Sequence, residues 1–268
     1  MSGDRKGVQH GREIALPKRS RLLISLFGYY TRRYIRRHFH AVRLDYANRG
    51  SLAVDGPLII YVNHPSWWDP LICLLVARHC FPERKHYAPI DLAELERYRF
   101  FSKLGFFGVQ PDSRRGAVAL LRMGGAILEQ PDAVLWITPQ GRFADPRERP
   151  LELRAGLARL ARRVGSCTLL PLAVEYPYWE ERLPEALLRF GEPIRPSENI
   201  EDLEDLIRQR LEDAQDALAA HAMERDDSAF EIILQSREKV AFFYDLWRRL
   251  RAGIRGEKAR LGHGKATK

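Results

Sequence analysis

The 268-residue sequence predicts an α/β fold, a layered mixed sheet with flanking helices and an amphipathic helix at each end. Two observations support this prediction. Short apolar runs of strand length alternate with helical runs through the middle of the chain, as expected for a layered sheet. Apolar residues at helical spacing dominate both the segment before residue 45 and the segment after residue 197.

Six short apolar runs predict the strands. They lie at residues 58–62, 87–90, 108–110, 134–138, 169–175 and 187–190. The last run is followed by Gly191 and Pro193, which favours an edge strand, because proline cannot donate a hydrogen bond to a neighbouring strand. Helical patterns at residues 117–128 and 154–164 separate the strands and predict the flanking layers.

Basic residues accompany both terminal segments. Residues 1–17 are polar and predict a loose leader, whereas residues 18–45 predict a basic amphipathic helix. The apolar positions of that helix are Leu23, Phe27, Tyr30 and Tyr34, and its arginines are Arg32, Arg33, Arg36 and Arg37. Such a helix docks on a membrane or packs on the core with a solvated arginine face. Residues 198–268 predict a helical extension, with a second apolar and arginine-rich seam at residues 240–255.

Composition narrows the class of protein. The formal net charge of +9 indicates an anionic partner, which phospholipid, nucleic acid or a phosphorylated substrate would satisfy. Nucleic acid is disfavoured, because no nucleic-acid motif is present and the arginines concentrate on the terminal helices. The longest apolar stretch near the N-terminus, residues 22–30, is shorter than the roughly 20 residues of a spanning helix. The three cysteines lack metal spacing, and we expect buried thiols in the cytoplasm.

Four histidines are followed five positions later by an aspartate, and geometry separates the four pairs. His86 and Asp91 bracket a predicted strand, which would hold them roughly 16 Å apart. His221 and Asp226 lie in or near a helix, where five residues correspond to about 140° of rotation. His40 and Asp45 have no turn residues between them.

His64 and Asp69 differ from the other pairs, because they lie between a strand that ends at residue 62 and a helix that begins near residue 71. Pro65 and Pro70 prevent either element from simply continuing, so a turn there can bring Asp69 back to His64. A carboxylate that holds one imidazole nitrogen leaves the other free to accept a proton from a hydroxyl. The alternative interpretation is a helix-capping Asp beside an incidental His.

The string NHPSWWDP, residues 63–70, resembles the first block of the glycerolipid acyltransferase superfamily, the family of bacterial lysophosphatidic acid acyltransferases, in which four residues separate a His from an Asp. Three further blocks follow in order. GFFGVQPDSRRG resembles the second, WITPQGRF the third and LLPLAVEY the fourth, so the resemblance extends from about residue 58 to residue 194.

The resemblance implies a function and roles for individual residues. It implies an acyltransferase domain at residues 46–197, with His64 as general base and Asp69 as its orienting partner. Trp67 and Trp68 would line an acyl channel, or alternatively belong to the core. The second and third blocks would bind the anionic head group of the acceptor through these residues: Arg114, Arg115, Gln140, Gly141 and Arg142.

The substrates follow from the same resemblance. The donor would be acyl-CoA or acyl carrier protein, and the acceptor would be the hydroxyl of a lysophospholipid, as in a 1-acylglycerol-3-phosphate acyltransferase, or of another polar lipid. No metal or redox cofactor is required. The enzyme would work in the cytoplasm on the inner face of the cell membrane. A catalytically silent membrane-binding protein that keeps the fold is the alternative.

Two departures from the family pattern concern the acceptor. The third block usually reads Pro-Glu-Gly-Thr-Arg, whereas this chain has Gln140 in place of Glu and no Thr before Arg142. In the second block the usual acid and arginine are replaced by Gln110 and Pro111. A Gln brace would hold an arginine on phosphate less firmly than Glu and would offer amide hydrogen bonds to neutral hydroxyls. We therefore expect a neutral polar lipid, such as a glycoside.

Two alternatives stay open for the arginines of these blocks. Arg142 together with Arg114 or Arg115 would rebuild a phosphate site by another route. Arg114 and Arg115 would otherwise form only a solvated first turn of the following helix.

Overall fold

The computed structural model describes residues 14–45, 47, 52–196 and 202–236. Eight strands form one sheet in the order β4-β3-β5-β2-β6-β7-β1-β8. The strands are β1 Ala41–Asp45, β2 Leu58–Val62, β3 Lys85–Asp91, β4 Phe106–Val109, β5 Ala133–Ile137, β6 Thr168–Glu175, β7 Glu185–Phe190 and β8 Phe230–Gln235. The α-helices are α1 Arg21–His38, α2 Asp69–Cys80, α3 Leu92–Arg97, α4 Arg114–Leu128, α5 Gly156–Val164 and α6 Leu203–Glu224. Short 3-10 helices span Arg99–Leu104 and Asp227–Ala229.

Alternating side chains of the central strands separate the protein into layers. Ile60 and Val62 point into a core shared with α1 and α2. Ile59 and Tyr61 point into the opposite core, shared with α4, α5 and α6. The two faces of β2 are therefore both covered by helices, which explains why its sequence is continuously apolar. The predicted α/β fold with a layered mixed sheet is confirmed.

The sheet is mixed. Strands β4, β3, β5, β2 and β6 are parallel to one another, whereas β7 runs antiparallel to β6. Strand β1 runs parallel to β7, and β8 runs antiparallel to β1. The carboxyl ends of β5, β2 and β6 consequently meet at one edge of the sheet. Side chains that follow these three strands in the sequence are brought together there.

The structure corrects three expectations about the outer elements. Residues 41–45 form strand β1, although the sequence predicted a continuous helix to residue 45. Residues 187–190 belong to β7, which lies between β6 and β1 and not at an edge. Residues 230–235 form β8, although only helix was predicted after residue 197. The predicted seam at residues 240–255 and most of the predicted leader lie outside the described residues.

Helix α1 packs on the sheet through one narrow face. Ser20 begins the helix by accepting a hydrogen bond from the backbone N–H of Leu23. Gly28, Thr31 and Ile35 are its buried residues. Among the helices that the structure describes, none is both long enough and apolar enough to cross a membrane.

Candidate active site

His64 and Asp69 form a hydrogen-bonded pair at the carboxyl end of β2. Asp69 occupies the first turn of α2, and the turn between the two elements folds its carboxylate back onto the imidazole. His64 Nδ1 lies 2.6 Å from Asp69 Oδ2. His64 Nε2 makes no hydrogen bond to any residue in the described part of the chain. The turn predicted from Pro65 and Pro70 therefore has the geometry that an imidazole base requires.

The Asp69 carboxylate accepts from three donors. Besides His64, the backbone N–H of Ser66 donates to Oδ2 at 3.1 Å and the hydroxyl of Tyr176 donates to Oδ1 at 2.5 Å. Asp69 is almost fully buried, at 1% exposure. The Ser66 N–H and the Tyr176 hydroxyl both donate to this carboxylate, and the His64 tautomer that carries its proton on Nδ1 donates to it as well. In that tautomer Nε2 is the acceptor.

Burial and the charge on Asp69 affect two neighbouring acidic groups. Burial first, and then the negative charge of Asp69, raises the pKa of the Tyr176 hydroxyl well above its usual value. The same two causes raise the pKa of the Cys73 thiol, one turn further along α2. Both shifts favour the protonated form, in which the Tyr176 hydroxyl is a hydrogen-bond donor.

Two amide side chains fix the backbone beside His64. Asn63 donates to the carbonyl of Val174 at 2.9 Å and accepts from its N–H at 2.8 Å. Gln140, which follows β5, accepts from the backbone N–H of His64 through Oε1 at 2.9 Å. These contacts join the ends of β2, β6 and β5, so the backbone of His64 is held on both sides.

The third block crosses directly over His64. The backbone N–H of Ala144 donates to the carbonyl of His64 at 3.0 Å. The Phe143 ring lies with its centroid 4.5 Å from that of the imidazole, at an interplanar angle of 41°. Phe143 is 58% exposed. A substrate that approached His64 from this side would therefore contact the Phe143 ring.

Arg142 is braced by an acid that the sequence did not identify. Its guanidinium donates to both carboxylate oxygens of Glu148, at 3.1 and 2.6 Å, and lies 3.6 Å from Glu152. Gln140 makes no hydrogen bond to Arg142, because its oxygen is used on the His64 backbone. The expectation that Gln140 holds this arginine loosely is therefore wrong.

The second and third blocks are joined by Arg154, another residue that sequence reasoning missed. Arg154 forms an ion pair with Asp112 at 2.7 Å and hydrogen-bonds the carbonyl of Gly141 at 3.3 Å. Gly141 has a positive φ of 64°, and a Cβ there would meet the Arg154 side chain at 2.3 Å. The backbone conformation therefore favours glycine at this position, and a larger residue would also displace the Arg154 side chain.

Arg114 and Arg115 occupy the first turn of α4, directly after the capping residue Ser113. Both are exposed, and neither forms an ion pair with a described residue. Positive side chains at a helix N-terminus oppose the helix dipole, at a cost of about 0.3–1 kcal/mol each. Stability therefore does not explain their position, whereas an anionic ligand at the same place would.

Trp67 and Trp68 lie beside the site but differ in environment. Trp68 packs between α1 and the sheet. Its ring centroid lies 4.9 Å from that of Phe39 and 5.6 Å from that of Tyr34. Trp67 stacks on Trp68 at 4.1 Å and is 54% exposed. An apolar cavity of about 280 Å³ lies further along α1, lined by Leu23, Leu26, Phe27, Tyr30, Phe100 and Leu104. The two tryptophans do not line this cavity, and their role in an acyl channel stays a prediction.

Each of the other three histidines forms its hydrogen bond with a residue other than the aspartate five positions later in the sequence. His40 Nδ1 contacts Glu185 at 2.5 Å, and His86 Nε2 contacts the carbonyl of Phe81 at 2.9 Å. His221 Nδ1 contacts Asp45 at 2.8 Å. Of the four pairs, only His64 and Asp69 are brought together. The described residues contain no group of three or more His, Cys, Asp or Glu that could hold a metal ion.

Comparison with known protein families gives one match. The family model described as Acyltransferase matches residues 40–175, which is half of the chain and contains His64, Asp69 and the second and third blocks. No curated protein matches the chain.

Proposed function

We propose, since this chain belongs to the acyltransferase family, that it transfers a fatty acyl group from acyl-CoA or acyl carrier protein to the hydroxyl of a lysophospholipid or other polar lipid. Acyl transfer in general is the chemistry of the family. The observation that carries the proposal is the contact of 2.6 Å between His64 and Asp69, with the second imidazole nitrogen left available.

The proposed reaction uses His64 as general base. Nε2 takes the proton of the acceptor hydroxyl while the hydroxyl oxygen attacks the thioester carbonyl. The tetrahedral intermediate collapses, the C–S bond breaks, and the proton passes from Nε2 to the leaving thiolate. Asp69 holds the ring and stabilises the imidazolium that forms between the two steps. A positioned base of this kind contributes about 10²- to 10⁴-fold in rate.

Arg114 and Arg115 are proposed to bind an anionic group of the substrates. Two guanidinium groups and the unpaired N–H groups of a helix N-terminus attract phosphate from the same direction. Both candidate donors carry phosphate on the arm that ends in the thioester. The resemblance to the family assigns an anionic group of the acceptor to the same block, so donor and acceptor are both candidates.

We also propose that α1 brings the enzyme to the membrane surface. Leu22, Leu26 and Tyr29 are 69%, 56% and 69% exposed, and they form one stripe of the helix together with Arg33 and Arg37. Burying such side chains in lipid favours binding by about 1.5–3 kcal/mol for each leucine. An exposed apolar stripe that continues into arginines is suited to an anionic interface. The proposed location is the cytoplasmic face of the membrane.

Replacement of His64 tests the proposed reaction. In wild type, acyl-CoA together with a polar lipid extract should release thiol and give an acylated lipid that mass spectrometry identifies. His64→Ala should lower this rate at least 100-fold, because it removes the base. His79→Ala, at the far end of α2, is the matched control and should retain the rate.

Two results would contradict the proposal. Activity of His64→Ala at a tenth of the wild-type rate or more would show that another group acts as base. If wild type released no thiol with acyl-CoA or acyl carrier protein as donor, the alternative of a silent membrane-binding protein would be favoured.

A further inference from the structure

An aromatic ring is fixed against the catalytic imidazole. The hydrogen bond from Ala144 to the His64 carbonyl holds the third block in place, and the Phe143 ring lies 4.5 Å from the His64 ring. A single exposed Phe is ordinary on a protein surface. An exposed Phe whose ring lies against the proposed base is different, because an acceptor that reaches the imidazole from this side passes within contact distance of the ring.

The arginines of the third block and of the segment that follows it are already paired with carboxylates. All four arginines of residues 139–154 form ion pairs with carboxylates. The pairs are Arg142 with Glu148, Arg147 with Asp145, Arg149 with Asp216 and Arg154 with Asp112. Glu152 adds a further negative charge beside Arg142. A phosphate that approached His64 from this side would have to displace a carboxylate, and it would be repelled by those that remain.

Gln140 adds neutral hydrogen-bond donors. The residue is only 5% exposed, and its side-chain oxygen accepts from the His64 backbone. Its side-chain nitrogen carries two N–H groups that make no hydrogen bond to the described residues. An amide N–H donates well to a hydroxyl or ether oxygen and carries no net charge.

We propose, on the basis of the acyl-transfer function above, that the acceptor is an uncharged lipid whose hydroxyl is carried by a sugar ring, and that Phe143 selects it. The apolar C–H face of the sugar packs on the Phe143 ring, whose π face is electron-rich. The Gln140 amide donates to a sugar oxygen, and the reacting hydroxyl lies at His64. Phosphate binding is then confined to α4, where it serves the phosphate of the donor.

The test compares a neutral and an anionic acceptor on the full chain. An alkyl glucoside and a lysophosphatidic acid of equal chain length are each supplied with acyl-CoA, and kcat and KM are measured. Wild type should have the higher kcat/KM for the glucoside. Phe143→Leu should lower that value about 2- to 10-fold, mainly through KM, since it removes a ring contact. Phe143→Trp should restore it, and Tyr98→Leu, which changes an exposed aromatic residue at the end of α3, should leave it unchanged.

Each contrary outcome has a distinct signature. Preference of wild type for lysophosphatidic acid would overturn the inference and leave the acyltransferase function standing. Equal losses on both acceptors in Phe143→Leu, mainly in kcat, would overturn it too, because the ring would then only position His64. Absence of thiol release from wild type with both acceptors and with a polar lipid extract would overturn the proposed function, and the inference with it.

Discussion

Tyr176 extends the proposed catalytic pair into a hydrogen-bonded series of three side chains. Its hydroxyl donates to Oδ1 of Asp69, while Oδ2 holds the imidazole of His64. The two carboxylate oxygens therefore have different partners. One contacts the imidazole, and the other contacts the residue that follows β6. Tyr176 follows β6 directly, so the same backbone that is tied to Asn63 also presents the hydroxyl.

Removing the Tyr176 hydroxyl tests this series of hydrogen bonds. Tyr176→Phe should lower kcat by about 10- to 100-fold, because hydrogen bonds to charged groups contribute roughly 1.5–3 kcal/mol. The loss should be in kcat with KM little changed, which initial rates over a range of acceptor concentrations would detect. A loss carried by KM instead would indicate that Tyr176 only shapes the site.

The sequence identified His64 and Asp69 because both belong to one short turn, where the prolines restrict the backbone. Tyr176, Glu148 and Arg154 were missed, because each acts on a residue from another block. No spacing rule links Tyr176 to a carboxylate 107 positions away. Gln140 was found but given the wrong partner, since only the fold reveals that its oxygen meets the His64 backbone.

Helix α1 is the element whose two alternatives from the sequence are both partly realised. One face packs on the core through Thr31 and Ile35, as the packing alternative requires. The opposite stripe, with Leu22 and Leu26, is exposed. The helix is thus anchored to the sheet and still presents an apolar surface, a combination suited to reversible contact with lipid.

Vesicle flotation tests this surface. Wild type should bind vesicles with anionic lipid more strongly than neutral ones, and Arg33→Gln with Arg37→Gln should weaken that binding about 10-fold or more, since each charge contributes about 1 kcal/mol. Leu22→Ser with Leu26→Ser should weaken binding to both kinds of vesicle. Met223→Ser, which changes an exposed residue of α6, is the control. Equal binding of wild type to both vesicles, or none, would assign α1 to packing alone.

The sequence did not predict strands β1 and β8, and for β1 the reason is physical. The central strands are buried on both faces and read as apolar runs, whereas β1 carries Arg43 and Asp45 toward the protein interior. Arg43 donates to Glu185 at 3.0 Å, and Asp45 is paired with Arg189 and His221. Buried charges are stable when such partners exist, but the partners are far away in the sequence. A polar pattern next to a helix was therefore interpreted as helix.

For the protein as a whole, the partly buried His86 links stability to pH. His86 donates to the carbonyl of Phe81 through Nε2 and accepts from the indole of Trp136 at 3.1 Å. Burial lowers the pKa of His86 from 6.5 to about 4. Below pH 6.5 the unfolded chain binds a proton at this residue and the folded protein does not, so stability decreases as the pH falls through this window.

Chemical denaturation at a series of pH values tests this link. The free energy of unfolding of wild type should fall between pH 6.5 and pH 4, with His86 responsible for about 3 kcal/mol at most. His86→Gln retains a donor and an acceptor but does not titrate, so its loss over the same range should be smaller. If both proteins lost stability equally, His86 would not be the responsible group.

The pairing of β1 with β7 and β8 has a consequence for synthesis on the ribosome. Strand β1 emerges early, whereas its neighbours Glu185–Phe190 and Phe230–Gln235 are translated much later. Throughout that interval both backbone edges of β1 lack their native partners, and contacts of such long sequence separation form slowly. Unpaired edges of this kind recruit other chains. Nascent chains should therefore aggregate through β1, and release of β8 from the exit tunnel should end this vulnerable period.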